Sequence, residues 1–264
     1  MIGTTVKKTI LIAITTAMVA WSALAGAKDW SKIRIGVEGA YPPFSIVDQD
    51  GELKGFDIDI ARALCKQMEA ECELVQQDWD GIIPALIARK YDAIIASMSI
   101  TEERKKKVAF SDKYYQTPAK FARMKGSGIE ISKAGLMGKS VGVQRGTIHD
   151  TFLEAEFGDG TEIKRYATQE EAYLDALAGR VDLLLADSIA MADGFLATEN
   201  GKDWEFVGPD FTEVKYFGEG AGIAIRKQDA DLVMKFNEAI KAIRADGTYQ
   251  SIQDRYFDFN VYGD

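Results

Sequence analysis

The sequence predicts an α/β protein built from two similar lobes. Short β-branched runs alternate with stretches of helical spacing in the order βαβαβ, and this order occurs twice along the chain. Such alternation produces parallel strands in sheets whose two faces are covered by helices. About 237 residues follow the N-terminal leader described below, which is more than one average domain. No low-complexity linker separates the halves, so we expect two lobes joined by short segments with a cleft between them.

The first unit begins with a predicted strand over residues 33–37. A turn at 41–44 and a small hairpin at 51–54 follow it. Apolar residues at helical spacing then predict an amphipathic helix over 57–68. The unit ends with a strand at 72–75, a helix at 81–89 and a strand at 93–96.

The second unit repeats this order from residue 140 onwards. Its pattern predicts strands at 140–143, 162–166 and 181–186, with helices at 147–157 and 168–178 between them. After it we expect a helix at 187–196, a short strand at 205–207, a glycine-rich segment at 216–222, a strand at 222–225 and a terminal helix from about 229 to 246.

The first 27 residues have the composition of a secretory signal peptide. Lys7 and Lys8 precede an apolar run at 10–24, and small residues that allow cleavage follow at Ala25 and Ala27. An uncleaved membrane anchor is the alternative, but the run is short for a span, which needs ~20 residues. No later segment is apolar enough to span a membrane. We therefore expect an exported chain whose mature part does not insert into the membrane.

The mature chain is expected to be acidic. Two of the 32 lysines and arginines lie in the first 27 residues, whereas all 41 aspartates and glutamates follow them, which leaves a net charge of -11. Such a charge repels nucleic acid and anionic membranes and favours cationic small molecules. We expect no nucleic-acid partner, and a monomer is the default because nothing in the sequence supports oligomerisation.

Cys65 and Cys72 are the two cysteines of the chain. An even number in an exported protein favours a disulfide, which would close a small loop and contribute roughly 2–3 kcal/mol of stability. A metal pair would need further ligands, and His149 is the single histidine. A redox pair usually has two-residue spacing. We predict a structural disulfide and no metal site.

We expect no nucleotide cofactor either, because the glycine-rich run at 135–140 has Lys133 where a phosphate-binding loop needs glycine.

The segment 91–104, YDAIIASMSITEER, contains the first candidate binding residue. Its strand ends in Ser97 and Ser99, and a helix is predicted to begin near Thr101. Arg104 then lies in the first helical turn, where a cation opposes the helix dipole at a cost of ~0.3–1 kcal/mol. The arginine either pairs with one of the two preceding glutamates or binds a ligand carboxylate, which a guanidinium matches in bidentate geometry.

The run GFDIDIARALC at 55–65 resembles the signature of bacterial extracellular solute-binding proteins, family 3, the polar amino-acid receptors of ABC importers. Within this family the chain is most similar to the lysine/arginine/ornithine and histidine receptors, which also carry the Cys-x6-Cys pair. The resemblance extends through YPPF at 41–44, DGIIPAL at 80–86, the loop at 97–104, VGV at 141–143 and the C-terminal YFDFNVYGD at 256–264.

The resemblance implies a two-lobe periplasmic-binding-protein clamp of type II. Each lobe would be a mixed, mostly parallel sheet flanked by helices, and the lobes would close around a ligand. The implied boundaries are a signal peptide at 1–27, lobe 1 at 28–115 plus 221–264, lobe 2 at 119–212, and a hinge of two crossing strands at about 111–118 and 214–220.

The resemblance also implies how the two backbone charges of an amino acid are held. In relatives the arginine at the position of Arg104 binds the α-carboxylate, assisted by backbone amides at positions matching Ser99 and Ile148. The α-ammonium is bound by an aspartate matching Asp187, by the Ser99 hydroxyl and by the Ser97 carbonyl. Asp187 also fits independently, because it follows a strand and precedes a helix, where α/β sheets bind ligands. The alternative is that it only caps that helix.

An acidic and two aromatic side chains are expected at the far end of the ligand. Glu38 follows the first strand, where the family's receptors for basic amino acids carry an acid facing the distal cation. Tyr41 and Trp79 would flank the aliphatic stem or stack on a guanidinium, an interaction of ~0.5–2 kcal/mol. Trp79 alternatively fills a gap in the core. Ala96 replaces the serine with which lysine-binding relatives hold the distal amine, so a lysine ammonium loses a partner.

The predicted ligand-binding set has four further members. Gln144, Thr147 and His149 would line the second lobe at positions that vary among relatives. Met98 lies between the two serines of the 97–104 loop. His149 is interpreted as a polar residue at the pocket rim and not as a catalyst or metal ligand.

We therefore expect a periplasmic receptor that captures a basic L-amino acid and delivers it to an ABC permease in the inner membrane. Arginine is the first candidate, followed by ornithine, lysine and histidine, and an arginine-derived opine is the alternative ligand. A periplasmic dehydratase of the same fold is the rival class, but its chemistry needs a general acid or base over the substrate. The predicted site offers no nucleophile–base set, and its acidic lining suits a cation, so we predict no enzyme activity. A sensory role beside import is a third candidate.

Overall fold

The computed structural model describes residues 28–263, which form three β-sheets and the helices around them. The predicted signal peptide at 1–27 lies outside the described residues. In chain order the elements are β1 (Lys32–Val37), β2 (Ala40–Tyr41), β3 (Ser45–Val47), β4 (Leu53–Lys54), α1 (Phe56–Gln67), β5 (Glu71–Gln76), α2 (Trp79–Ile87), β6 (Ala93–Ile94), α3 (Glu102–Lys105), β7 (Ala109–Tyr115), β8 (Ala119–Met124), β9 (Ser140–Gln144), α4 (Ile148–Phe157), β10 (Glu162–Tyr166), α5 (Gln169–Leu177), β11 (Leu183–Asp187), α6 (Ser188–Met191) with a π-helical turn (Ala192–Leu196), β12 (Trp204–Phe211), α7 (Val214–Phe217), β13 (Ala221–Ile225), α8 (Ala230–Ala245) and α9 (Thr248–Gln253).

Both five-stranded sheets have the same layout. The first has the order β5-β1-β6-β13-β7, with β1 parallel to β5 and β6, and with β13 antiparallel to both of its neighbours. The second has the order β10-β9-β11-β8-β12, with β9 parallel to β10 and β11, and with β8 antiparallel to both of its neighbours. One strand of each sheet therefore opposes the other four, which confirms the predicted mixed, mostly parallel sheets.

Each sheet has its own hydrophobic core. In the first, β1 and α1 bury apolar residues such as Ile35 and Phe56 against α8 and α9. In the second, Phe121 and Leu183 belong to a separate cluster with the apolar face of α4. Two cores that do not merge leave the space between the sheets free for a cleft.

The chain passes twice between the sheets, and only one passage matches the predicted crossing strands. Residues 111–115 of the predicted first crossing belong to β7, and three further residues lead to β8. The second prediction, a strand near 214–220, is wrong in its secondary structure. The helical turn α7 occupies Val214–Phe217, followed by Gly218 and Gly220 at φ 73° and 108°. Glycine adopts positive φ readily, and a residue with positive φ cannot continue an extended strand. The lobe boundaries stay a prediction.

The predicted disulfide between Cys65 and Cys72 is confirmed. It joins the end of α1 to the start of β5, with the two Cα atoms 6.1 Å apart. Among residues 28–263 no cluster of histidine, cysteine and acidic side chains is arranged to hold a metal ion. No helix between residues 28 and 263 combines the length and apolarity that a membrane span requires.

Candidate ligand-binding site

A cavity that is partly open to solvent lies between the two sheets. Glu38 directly follows β1 and Ser97 closely follows β6, whereas Gln144 and Asp187 are the last residues of β9 and β11. The cavity is therefore at the C-terminal ends of the parallel strands, where open α/β sheets bind ligands. From the predicted set, the lining contains Glu38, Tyr41, Trp79, Ala96, Ser97, Ser99, Arg104, Gln144, Thr147, Ile148, His149 and Asp187.

Met98 is the predicted site residue that the structure does not bring to the cavity. Its side chain is fully buried in a cluster of apolar residues behind the strand end. Ser97 and Ser99 on either side of it line the cavity, whereas Met98 packs into the core.

The cavity residues that come from the two passages between the sheets were not predicted from the sequence. These segments were predicted only as a hinge. Their sequence does not indicate which of their side chains face the cavity. The missed lining residues are Tyr115, Gln116, Thr117, Ala119, Thr212, Phe217, Gly218, Gly220 and Ala221.

Arg104 reaches the cavity without an acidic partner. The two preceding glutamates pair instead with Lys105 and Lys106, at 2.9 and 2.6 Å. The Arg104 Nη1 donates a hydrogen bond to the Ser99 carbonyl at 3.0 Å, and the guanidinium lies 5.2 Å from the Trp79 ring centroid. Within the described chain no carboxylate forms an ion pair with it, and burial lowers its pKa to about 10. The alternative of local pairing is therefore wrong.

Asp187 both caps a helix and lines the cavity. One carboxylate oxygen accepts hydrogen bonds from the backbone amides of Ile189 and Ala190, at 2.8 and 3.1 Å, at the start of α6. The other accepts a hydrogen bond from the Thr117 hydroxyl. Burial raises the pKa of Asp187 to about 6, and these hydrogen bonds oppose the increase. No ion pair reaches this carboxylate from any described residue, so it can accept a cation.

Glu38 is a second buried carboxylate, and it touches the opposite side of the cleft. Its Oε1 accepts a hydrogen bond from Gln144 Nε2 at 2.6 Å, and the same nitrogen also donates to the Ala167 carbonyl at 3.1 Å. Burial raises the pKa of Glu38 to about 7, the bond from Gln144 opposes this, and the charges of Asp78 and Asp80 add to it. The residues described show no cation paired with Glu38.

His149 is a buried residue of the cavity wall, in contrast to its predicted place at a rim. It is the second residue of α4, and its ring centroid lies 6.2 Å from that of Phe217. Burial and the neighbouring charge of Arg104 lower its pKa to about 3. His149 is therefore neutral at ordinary pH and adds no charge to the site.

Trp79 belongs both to the core and to the cavity wall. It is half-buried, packs against the apolar cluster around Ile82, and also lines the cavity as the first residue of α2. The next residue, Asp80, forms an ion pair with Arg145 across the cleft, with Arg145 Nε 2.7 Å from Asp80 Oδ2. Together with the bond between Glu38 and Gln144, this pair holds the two sides of the cleft in contact.

The comparison with known families identifies this architecture. The model of the bacterial extracellular solute-binding proteins, family 3, matches residues 33–259. The chain belongs to this family. The two-lobe fold inferred from the resemblance is thereby confirmed, and the cavity occupies the cleft of a solute-binding protein.

Individual relatives of this solute-binding protein agree with that assignment. The chain is 53% identical to the L-arginine-binding protein of Pseudomonas aeruginosa, over 88% of this chain and 90% of the relative. It is 41% identical to the lysine/arginine/ornithine-binding periplasmic protein of Escherichia coli, over 97% and 96% of the two chains. A solved structure of a Salmonella typhimurium periplasmic binding protein with high arginine specificity matches with a TM-score of 0.79 and 32% identity, covering 86% of this chain and 99% of that one.

Proposed function

We propose that this protein is a periplasmic receptor, without a catalytic role, that binds a basic L-amino acid and delivers it to an ABC importer. Arginine is the first candidate ligand. The observation that carries the proposal is the set of unpaired charges in the cavity. Two carboxylates and one guanidinium line it, and within the described chain none of the three has an ion-pair partner.

A basic amino acid carries the complementary set of charges. Its α-carboxylate would pair with Arg104, because a guanidinium binds a carboxylate in bidentate geometry. Its α-ammonium would pair with Asp187, whose two oxygens are already oriented by hydrogen bonds. Its distal cation would pair with Glu38. Buried charges of this kind are costly unless paired, so the ligand would supply the missing partners.

The distal end of the cavity favours a guanidinium over an ammonium. Glu38 Oε1 is bonded to Gln144, and no hydrogen bond from the described chain reaches Oε2. Tyr41 and Trp79 line the cavity, and a planar guanidinium stacks on an aromatic ring better than an ammonium does. Ala96 contributes no hydroxyl for an amine. The relatives include an L-arginine-binding protein and a periplasmic binding protein with high arginine specificity, which supports the same ranking.

Ligand binding and closure are linked by the position of these groups on both sides of the cleft. Glu38 and Arg104 belong to the side of the first sheet, and Asp187 to the side of the second. A ligand that pairs with all three stabilises the closed form over the open one, since only the closed form offers the complete set. The closed form would then be the state that a membrane permease recognises.

A ligand screen tests the proposal directly. The protein is unfolded and refolded to remove bound ligand, and its thermal unfolding is then followed with single amino acids and an arginine-derived opine at about 1 mM. A ligand with ~1 μM affinity adds ~4 kcal/mol to the native state, which raises the Tm by several degrees. We expect the largest shift with arginine. A shift with only a neutral amino acid or only the opine would contradict the proposed ligand, and no shift at all would contradict the proposed function.

The substitution Glu38→Gln should weaken arginine binding while preserving the shape of the pocket. A hydrogen bond to a charged group contributes about 1.5–3 kcal/mol, so we expect the Kd to increase roughly 10- to 150-fold. Isothermal titration calorimetry with arginine measures the change. Glu52→Gln, at an exposed position outside the cavity, is the matched control. An unchanged Kd for Glu38→Gln would show that Glu38 does not face the distal cation.

Arginine affinity should increase as the pH rises from about 5 to about 8. Without ligand, Glu38 and Asp187 have pKa values of about 7 and about 6, so both bind protons in the acidic part of this range. A cationic ligand favours the charged carboxylates, lowers both pKa values and displaces those protons. Titrations at pH 6.5 in two buffers with different ionisation enthalpies should therefore show net proton release. An affinity that is constant or falls with pH would contradict this linkage.

A further inference from the structure

Ser97 has a backbone conformation that L side chains disfavour. Three non-glycine residues of the described chain have positive φ, namely Glu69, Arg89 and Ser97 at 53°, 63° and 52°. The first two directly follow the C-caps of α1 and α2, where a left-handed residue is a common way to end a helix. Ser97 follows a strand and lines the cavity. Its conformation therefore needs support from the surrounding structure.

That support comes from a buried carboxylate and a buried phenol. The Ser97 hydroxyl donates a hydrogen bond to Asp57 Oδ2 at 2.9 Å. The Tyr114 hydroxyl donates to Asp57 Oδ1 at 2.9 Å, and it accepts a hydrogen bond from the Ser97 backbone amide at 3.1 Å. These three bonds form a closed ring that fixes both the backbone and the side chain of Ser97.

Asp57 is a buried carboxylate that is bound by hydroxyl groups and by no cation among the described residues. It is fully buried in the first turn of α1, and the described chain provides no ion pair for it. Burial raises its pKa to about 7, while the bonds from Tyr114 and Ser97 oppose the increase. Asp59, two residues later, differs in this respect. It pairs with Arg255 at 3.0 Å and lies outside the cavity.

We propose that Asp57 is a positioning residue that holds Ser97 in its left-handed conformation for the ligand. The inference rests on the proposed function, because it assumes that the cavity binds an amino acid. Asp57 does not line the cavity, so it acts through Ser97. Without the hydrogen-bonded ring, Ser97 relaxes toward negative φ, and its carbonyl leaves the side of the cavity at which the α-ammonium would bind.

A double-mutant cycle separates this positioning effect from a general loss of stability. Arginine binding is titrated with the parent protein, Asp57→Ala, Ser97→Gly, the combined variant, and Asp59→Ala as the control on the same helix. The ligand-free thermal unfolding of each variant is recorded in parallel. We expect Asp57→Ala to raise the Kd at least tenfold and Asp59→Ala to change it less than twofold. In the Ser97→Gly background, Asp57→Ala should change the Kd less than threefold, because glycine adopts this φ unaided.

Two results would overturn the inference: a Kd for Asp57→Ala within twofold of the parent, or an equal effect of Asp57→Ala in both backgrounds. If Asp57→Ala does not fold, Tyr114→Phe replaces it, since this change removes only the hydroxyl that joins the Ser97 amide to Asp57. A Kd at least threefold higher then supports the inference, and an unchanged Kd overturns it.

A parent protein that binds no amino acid overturns the proposed function together with this inference, whereas a binding parent with unaffected variants overturns the inference alone.

Discussion

Replacing Arg104 with methionine should remove most of the affinity for any ligand that carries an α-carboxylate. Methionine retains much of the apolar length of the side chain and removes the charge. The ligand carboxylate would then be buried without its partner, which costs ~2–5 kcal/mol and corresponds to a roughly 30-fold to several-thousand-fold increase in Kd. Isothermal titration calorimetry with arginine measures this change.

A comparison of arginine with agmatine tests whether Arg104 binds the ligand carboxylate. Agmatine is arginine without its carboxylate, so the substitution of Arg104 should not weaken its binding. Arg180→Met is the matched control, because Arg180 is exposed and pairs with Asp175 away from the cavity. If Arg104→Met weakens the binding of arginine and of agmatine equally, Arg104 supports the pocket in general and does not bind the ligand carboxylate.

Replacing Asp187 should have an effect of similar size through the opposite charge. Asp187→Ala leaves the ligand ammonium desolvated and unpaired, which again costs ~2–5 kcal/mol of binding free energy. It also removes the helix cap that Asp187 provides to the amides of Ile189 and Ala190, at a cost of typically ~1 kcal/mol in stability. We expect a lower ligand-free Tm and a Kd for arginine that rises roughly 30-fold or more.

Asp187→Asn distinguishes the two roles of this side chain. Asparagine keeps an oxygen that can accept the capping hydrogen bonds, so its ligand-free stability should stay near that of the parent. Its affinity for arginine should still fall strongly, because the negative charge is lost. An arginine analogue without the α-amino group should bind the variant and the parent alike. A titration with arginine that is unchanged in Asp187→Asn would refute the assignment of the ammonium site.

Local sequence patterns predicted most of the regular structure. The strand predicted at 162–166 is observed as Glu162–Tyr166, and the helix predicted at 57–68 as Phe56–Gln67. In both segments the spacing of apolar residues records which face is buried, and that information is local. The strand predicted at 205–207 extends over Trp204–Phe211. The prediction was too short because most of the additional residues are exposed and carry no apolar pattern.

The passages between the sheets show where local patterns fail. The segment 214–220 was expected to be extended, but it contains the helical turn Val214–Phe217 and two left-handed glycines. Phe217 is buried in the core of the second sheet and also contributes to the cavity wall. Such a course depends on the distance and direction between two strand ends, which no short stretch of sequence encodes.

The sequence by itself determined the family, the charged side chains that line the cavity, and the place of Glu38 and Asp187 at strand ends. Only the tertiary structure decided how these residues are paired. It showed that the glutamates beside Arg104 are occupied by lysines, that Glu38 meets Gln144 across the cleft, and that Asp57 holds Ser97. The physical reason is distance along the chain. Glu38 and Gln144 are 106 residues apart, and Asp57 and Ser97 are 40 apart, so their contacts arise from packing and not from periodicity.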